Sequence, residues 1–321
     1  MNIDMITAAA ARMQGYVRRT PLLNAPLLDK ALGRRIFVKA ECLQVTGSFK
    51  ARGGWSAVSA LAPNARTRGV IAFSSGNHAQ GVAYAAAQHG APCVILMPSD
   101  APQVKIANTR SYGAEVVLYD RASDDRDAIG ARIAAERELT LIRPYDDPQV
   151  IAGQGTVGLE LAEQAVEAGI AEAPVLVCCG GGGLSSGISL ALEARAPGLT
   201  VRTAEPAGFD DMARSLASGQ RERNPAAGGS ICDAILTPSP GELTLPILSR
   251  LAGEGAVITD DQALKAMAMA FTHLRIVLEP GGAAALAAAI FTEDLPDTVI
   301  AVATGGNVDS AVFAAALDRF A

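Results

Sequence analysis

The sequence predicts an α/β protein built on two mostly parallel sheets, each flanked by helices. Two observations carry this prediction. From about residue 69 onward, β-branched runs of strand length alternate with alanine-rich segments of helical length. These runs also fall into two sets. The first is GVIAFSS (69–75), PCVILMP (92–98), AEVVLYD (114–120) and LTLIRPY (139–145). The second is PVLVCC (174–179), TVRTAEP (200–206), GAVITD (255–260) and TVIAVATGG (298–306). Helical segments separate the members of each set, as a parallel sheet requires. Each set is expected to form its own sheet, and so its own lobe. The polar stretch 218–244 carries Gly, Pro and Ser turn signals without periodicity and reads as a surface excursion rather than a linker.

Bulk properties exclude several classes. A chain of 321 residues, half of them hydrophobic, can bury a large core. Its apolar runs are interrupted before the roughly 20 residues needed to cross a bilayer. The N-terminus places an acidic residue before its short apolar run and arginines after it, the reverse of a secretory signal. A cytoplasmic location without membrane contact is expected. A net charge of −6 offers no basic face for nucleic acid. The five cysteines lack a CxxC pair, so neither a disulfide framework nor a zinc site is expected.

The strongest local signal is CCGGGGLSSG. Gly180, Gly181, Gly182 and Gly183 follow an apolar strand and precede a helix beginning near Ser185. Without Cβ atoms such a backbone can close around an anion, its amides pointing inward and the helix dipole adding favourable potential. The patterns GxGxxG and GxxxxGK[ST] both fail here. A rival fits: Gly183-Leu184-Ser185-Ser186-Gly187 satisfies GxSxG, the elbow that presents a nucleophilic serine in hydrolases. That reading needs a downstream histidine, and only His273 follows. Lys50, in TGSFKARGG, says little alone. Beside a phosphate cradle it becomes a candidate for a Schiff base with pyridoxal phosphate, which brings both an aldehyde and a phosphate.

Seven ordered landmarks, SFKARGG, SSGNHAQG, PYDDPQVIAGQGTVGLEL, GGGGLSSG, AEPAGFDD, LEPGGAAAL and TGGNVD, together resemble the fold type II pyridoxal-phosphate enzymes, specifically the serine/threonine dehydratase and serine racemase family. The resemblance runs from RRTPL (18–22) to TGGNVD (304–309). It implies a two-lobed architecture like that of the tryptophan synthase β chain. Residues 1–68 and 147–321 would form a large cofactor-binding domain, and 69–146 a small mobile domain on the substrate side. Lys50 would hold the cofactor and serve as base at the substrate Cα, with Phe49 beside it. Asn77 would meet the cofactor's ring hydroxyl, Gly180–Gly183 and Leu184 its phosphate, Thr304 its ring nitrogen and Glu279 its ring edge. Ser74, Ser75, Asn77 and His78 would receive the substrate carboxylate at a helix N-terminus. Ser75 matches the position that exchanges a proton on the opposite face in serine racemases. Arg126 matches an arginine at the substrate mouth that could grip a second carboxylate, though it also lies among aspartates with which it can pair. Glu205, the Phe209 carbonyl and Asp211 match a magnesium or calcium site, or else an acidic loop capping a helix.

The function so implied is β-elimination from a β-hydroxy-α-amino acid such as L-threonine or L-serine, giving a 2-oxo acid and ammonia. A 3-hydroxyaspartate ammonia-lyase or another lyase for β-substituted amino acids, and a serine racemase, stay open, as does the serine hydrolase of a different class. A homodimer is expected from the resemblance.

Overall fold

The computed structural model describes residues 1–321 apart from Ser75, Pro102, Arg121 and Ala227, and leaves the side chain of Val104 undescribed. In chain order the elements are α1 (Ile3–Met13), β1 (Leu22–Asn24), α2 (Pro26–Leu32), β2 (Arg35–Ala40), α3 (Lys50–Ser59), α4 (Pro63–Arg68), β3 (Val70–Phe73), α5 (Asn77–Gln88), β4 (Cys93–Pro98), α6 (Gln103–Ser111), β5 (Glu115–Tyr119), α7 (Arg126–Glu136), β6 (Thr140–Leu141) and α8 (Pro148–Glu167). There follow β7 (Ala173–Cys178), α9 (Gly183–Arg195), β8 (Leu199–Pro206), α10 (Asp211–Ser218), α11 (Thr244–Leu251), β9 (Ala256–Ile258), α12 (Asp260–Met269), α13 (Pro280–Phe291), β10 (Thr298–Ala303) and α14 (Ser310–Phe320).

Two sheets form, as expected. The smaller has the order β5-β4-β3-β6 and is parallel throughout. The larger has the order β1-β2-β10-β7-β8-β9, parallel except for β1. At its centre Ile300 of β10 lies opposite Phe37 of β2 and Val175 of β7. Central strands covered on both faces must be apolar on both, and β7 and β10 are almost wholly buried.

Strands β1 and β2 lie outside the sequence expectation. RIFVKA carries near its end a charged residue, Lys39, that would ordinarily mark a surface. Lys39 is instead fully buried, its Nζ bonded to Glu160 Oε2 at 2.5 Å, Thr20 O at 2.7 Å and Gln164 Oε1 at 2.9 Å. The cluster extends to Arg52, whose guanidinium meets both oxygens of Glu41 at 2.7 and 2.8 Å and both of Glu160 at 2.7 and 2.9 Å. Two cations and two carboxylates cancel, which makes burial of the whole tolerable. The cluster ties β2 and α8 to the first turn of α3, where Lys50 sits.

LTLIRPY yields only two strand residues, because the carbonyls beyond Leu141 are engaged elsewhere, Ile142 O by His78 and Pro144 O by Lys50. The stretch 218–244 also departs from expectation. It folds back over the mouth of the main cavity, with Cys232 and Ile235 buried and Gly241 bonded to the glycine loop, so it is a wall rather than a surface excursion.

Helices α3 and α5 cross with glycine against glycine. A Cβ on Gly54 would lie 2.6 Å from the Gly81 carbonyl, and one on Gly81 would lie 2.6 Å from the Lys50 carbonyl. This backbone contact brings the N-terminus of α5 beside Lys50.

Candidate active site

A cavity of about 690 Å³ opens between the carboxyl ends of the two sheets, where open α/β sheets place their ligands. Its floor is the glycine loop between β7 and α9. Gly182 has φ +89°, a conformation that side chains strongly disfavour, and any Cβ on Gly181 would strike the Tyr145 ring. The loop is held from outside, where Gly181 O accepts from Gly241 N at 3.1 Å and from Thr244 Oγ1 at 2.6 Å. With that carbonyl turned away, the amides from Gly180 to Leu184 find no acceptor among the described residues. Orphan amides at a helix N-terminus form an anion seat. The residues therefore fit a phosphate.

Lys50 opens α3. Its Nζ donates to Pro144 O at 3.0 Å and lies 5.0 Å from the centre of the Phe49 ring. Burial lowers its pKa to about 8, with Glu279 opposing the shift. Asn77 opens α5 and donates from Nδ2 to Glu279 Oε1 at 2.5 Å. Burial raises Glu279 to about 7, against the opposing effect of the Asn77 hydrogen bond. His78 is buried and held near pKa 3, first by burial and then by Lys50. Its Nε2 faces Ile142 O at 3.0 Å, so the proton sits there and Nδ1 is left as a buried acceptor without a partner among the described residues. Ser74 lines the cavity and accepts from Gly76 N at 3.2 Å. Ser75 lies outside the described residues. Thr304 is buried at the cavity edge, joined to the lysine segment by Phe49 N to Thr304 O at 3.0 Å.

One cavity thus gathers Phe49, Lys50, Ser74, Asn77, His78, the glycine loop with Leu184, Glu279, Thr304 and Arg126. Arg126 stands at the rim, its side chain 48% exposed, paired with Asp127 at 2.8 Å and placed over the Phe73 ring at 5.8 Å.

Three further cations line the same cavity and were not singled out from sequence. Lys105 pairs with Asp233 at 3.4 Å, and Arg221 with Glu242 at 3.4 Å. Arg143 is exposed beside them. Lys105 lies within α6, Arg143 follows β6 and Arg221 follows α10, and no spacing rule picks them out. Tyr145 and Asn307 were also missed.

Two expectations fare differently. Ser185 is fully buried and does not line the cavity, and no histidine bonds to it among the described residues. A nucleophile elbow must expose its serine, so GxSxG here is a buried helix turn. Glu205, Phe209 and Asp211 lie away from the cavity lining. Glu205 spends both oxygens on the α10 amides of Met212 and Ala213, at 2.9 and 2.8 Å. Asp211 accepts from Asn224 at 2.6 Å, and burial raises it to about 6. Its Oδ2 is buried without a partner among the described residues. Among the described residues no cluster of three or more His, Cys, Asp or Glu side chains forms a metal site.

Comparison with known proteins gives the family. The family model described as pyridoxal-phosphate dependent enzyme matches residues 13–305. The L-threo-3-hydroxyaspartate ammonia-lyase of a Pseudomonas species is 40% identical over 316 residues, covering 97% of each chain. The serine racemase of Oryza sativa subsp. indica is 36% identical, covering 97% of this chain and 92% of that one. Among solved structures, the T.th. threonine deaminase superposes with a TM-score of 0.91 at 43% identity, covering 96% of this chain and 99% of that one.

Proposed function

The chain belongs to the pyridoxal-phosphate-dependent enzymes, and on that premise we propose that it removes the β-hydroxyl of a β-hydroxy-α-amino acid to give a 2-oxo acid and ammonia. The observation that carries this reading is the meeting of Lys50 and the orphan amides of the glycine loop in one cavity. When bound, pyridoxal phosphate supplies an aldehyde for an amine and a ring that accepts electrons. Gly180–Leu184 would hold its phosphate, Lys50 its aldehyde carbon, Asn77 its ring hydroxyl, Thr304 its ring nitrogen and Glu279 its ring edge.

The protein's own groups do the rest. Lys50, with its ammonium form disfavoured by burial, presents a neutral amine near pH 8 that can take the substrate Cα proton at Nζ. Pro144 O holds that amine in place. Ser74, Ser75 and the first amides of α5 would seat the substrate carboxylate. His78, neutral throughout the physiological range, would add hydrogen bonding without charge. A hydroxyl at Thr304 cannot keep the ring nitrogen protonated as a carboxylate would, which favours prompt loss of a β-leaving group over a long-lived carbanion. The unit proposed to close over the substrate and exclude water is 69–146, against 1–68 with 147–321.

Within this class the cationic rim favours a substrate with a second carboxylate, as in 3-hydroxyaspartate. Arg126, Arg143, Lys105 and Arg221 would attract it into an otherwise acidic molecule. Racemisation through Ser75 is the competing outcome. The deciding experiment incubates the purified protein and pyridoxal phosphate with L-threonine, L-serine and L-threo-3-hydroxyaspartate, then measures ammonia, 2-oxo acid and amino-acid configuration. Ammonia with 2-oxo acid supports the reading. A protein that takes up no cofactor and releases no ammonia overturns it. Retained amino acid of inverted configuration identifies a racemase.

Two assembly features complete the proposal. Asp211 Oδ2, Glu205 and the Phe209 carbonyl are proposed to take a magnesium or calcium ion, which would neutralise the buried acid pair. Exposed Phe271, Val277 and Val312, with the Phe271 ring edge-on to Phe313 at 5.6 Å, are proposed as part of a homodimer face. No helix among the described residues is long and apolar enough to cross a membrane, and the enzyme is proposed to work in the cytoplasm.

A further inference from the structure

We propose that Asn307 is a positioning residue that dictates which end of the Asn77 amide faces the cofactor. The inference rests on the cofactor assignment above.

A primary amide is nearly symmetric in shape, so shape alone does not decide whether Asn77 turns its oxygen or its NH2 toward the cavity. Glu279 does not decide it either. Its pKa of about 7 means that near neutrality the carboxyl can accept from an amide nitrogen or donate to an amide oxygen. Asn307 removes the ambiguity. Its Nδ2 lies 2.9 Å from Thr46 O and 2.7 Å from Asn77 Oδ1. A backbone carbonyl can only accept, so the nitrogen of Asn307 must face Thr46. Its second N–H then falls to Asn77, whose oxygen is thereby engaged. The NH2 of Asn77 is left to donate, at present to Glu279 Oε1 at 2.5 Å. Donors in that direction are what a ring hydroxyl or its oxyanion needs.

The anchor of this relay is rigid. The segment leading to Lys50 is stitched to the Thr304 turn by Phe49 N to Thr304 O at 3.0 Å and Gly306 N to Gly47 O at 2.9 Å, with Ser48 bridged to Gly305. Gly47 has φ +73°, and a Cβ there would lie 2.5 Å from Asn307 Oδ1. Space is therefore kept for the Asn307 side chain. Three segments that carry cofactor-facing groups, at Lys50, Asn77 and Thr304, converge on this one amide.

The test uses the holoenzyme, Asn307→Ala, Asn307→Asp, Asn77→Ala and the double variant Asn77→Ala/Asn307→Ala. Each is stripped of cofactor and titrated with pyridoxal phosphate, and the visible band of the reloaded protein is followed against pH. Asn307→Ala should weaken cofactor binding about tenfold, the worth of one oriented hydrogen bond, and shift the midpoint of the band's pH titration. Asn307→Asp has no N–H to offer and should lose at least as much. In the Asn77→Ala background, Asn307→Ala should change affinity by less than about twofold, because Asn307 acts only through Asn77. Wild-type affinity and spectrum in Asn307→Ala overturn the proposal, as do losses that add in the double variant. If Asn307→Ala fails to fold, Asn307 is a structural pin and the proposal also falls. A wild-type protein that binds no pyridoxal phosphate overturns the cofactor assignment itself, a result separate from all of these.

Discussion

The two walls of the cavity are built differently. On the side of the six-stranded sheet, polar groups are buried and bonded to one another: the glycine loop to Gly241 and Thr244, the Lys50 segment to the Thr304 turn, Arg52 to two carboxylates. On the side of the four-stranded sheet and its rim, Arg126 stands half in solvent and pairs singly with Asp127. Exposed pairs of that kind contribute roughly 0–1 kcal/mol, whereas breaking a buried pair costs about 3–5 kcal/mol. On the function proposed above, the chemistry falls to the first wall and the choice of substrate to the second. A wall whose groups are already matched cannot be retuned cheaply. A rim of loosely paired cations can be.

This division can be broken or sharpened experimentally. The largest effect belongs to Lys50→Ala, which should lower turnover by about 10³-fold or more and remove any Lys50-dependent visible band. Retained turnover would move the base elsewhere and dissolve the distinction between the walls. Next comes Arg52→Met, which leaves Glu41 and Glu160 without their shared cation; denaturant unfolding should show a loss of about 3–5 kcal/mol. A loss below about 1 kcal/mol would mean that the cluster is no more demanding than the rim. On the other wall, Arg126→Ala and Arg143→Ala together should raise KM for 3-hydroxyaspartate by about 10–100-fold and leave that for threonine within about threefold. Equal losses for both substrates would argue that the arginines shape the mouth without reading charge.

The smallest effect concerns pH. The Lys50 pKa falls from its ordinary 10.5 to about 8 on folding, so the folded cofactor-free protein binds fewer protons than the unfolded chain between those values. The burden of the buried ammonium is therefore complete below pH 8 and relieved as pH rises to 10.5. Cofactor-free Lys50→Met should melt a few degrees above cofactor-free wild type at pH 7, a gain of about 1 kcal/mol, with the advantage gone above pH 10.5. Melting curves across that range check the sign.

The first wall was also the more legible in sequence. SFKARGG, GGGGLSSG and TGGNVD are contiguous strings in which backbone geometry and chemistry coincide, so Lys50, the glycine loop and Thr304 could be named from local pattern and family resemblance. Runs such as PVLVCC and TVIAVA are apolar because both faces of their strands are covered, and that too is written locally. β2 was missed because Lys39 looks like a surface residue until Glu160 and Gln164, from α8, are brought to it. Asn307 falls within TGGNVD but carries no local sign of its role, since its partners lie 230 and 261 positions away. The rim arginines come from separate segments, Arg126 from the start of α7 and Arg143 and Arg221 from loops, and no spacing predicts which segments will meet. Ser185 shows the reverse failure: a pattern present in the string, GxSxG, whose serine the helix turns inward.

The crossing of α3 and α5 bears on how the cavity closes. With the Gly54 and Gly81 backbones in contact and the Lys50 carbonyl behind them, the two helices have no side chain between them at the crossing point. They can slide along that seam but cannot be pressed closer together. If α5 travels with 69–146, closure over the cavity would come by shear along that seam rather than by pressing the two helices together. The spacing between the two helices would then stay constant through the catalytic cycle, as a gauge block keeps its dimension while the vice around it moves.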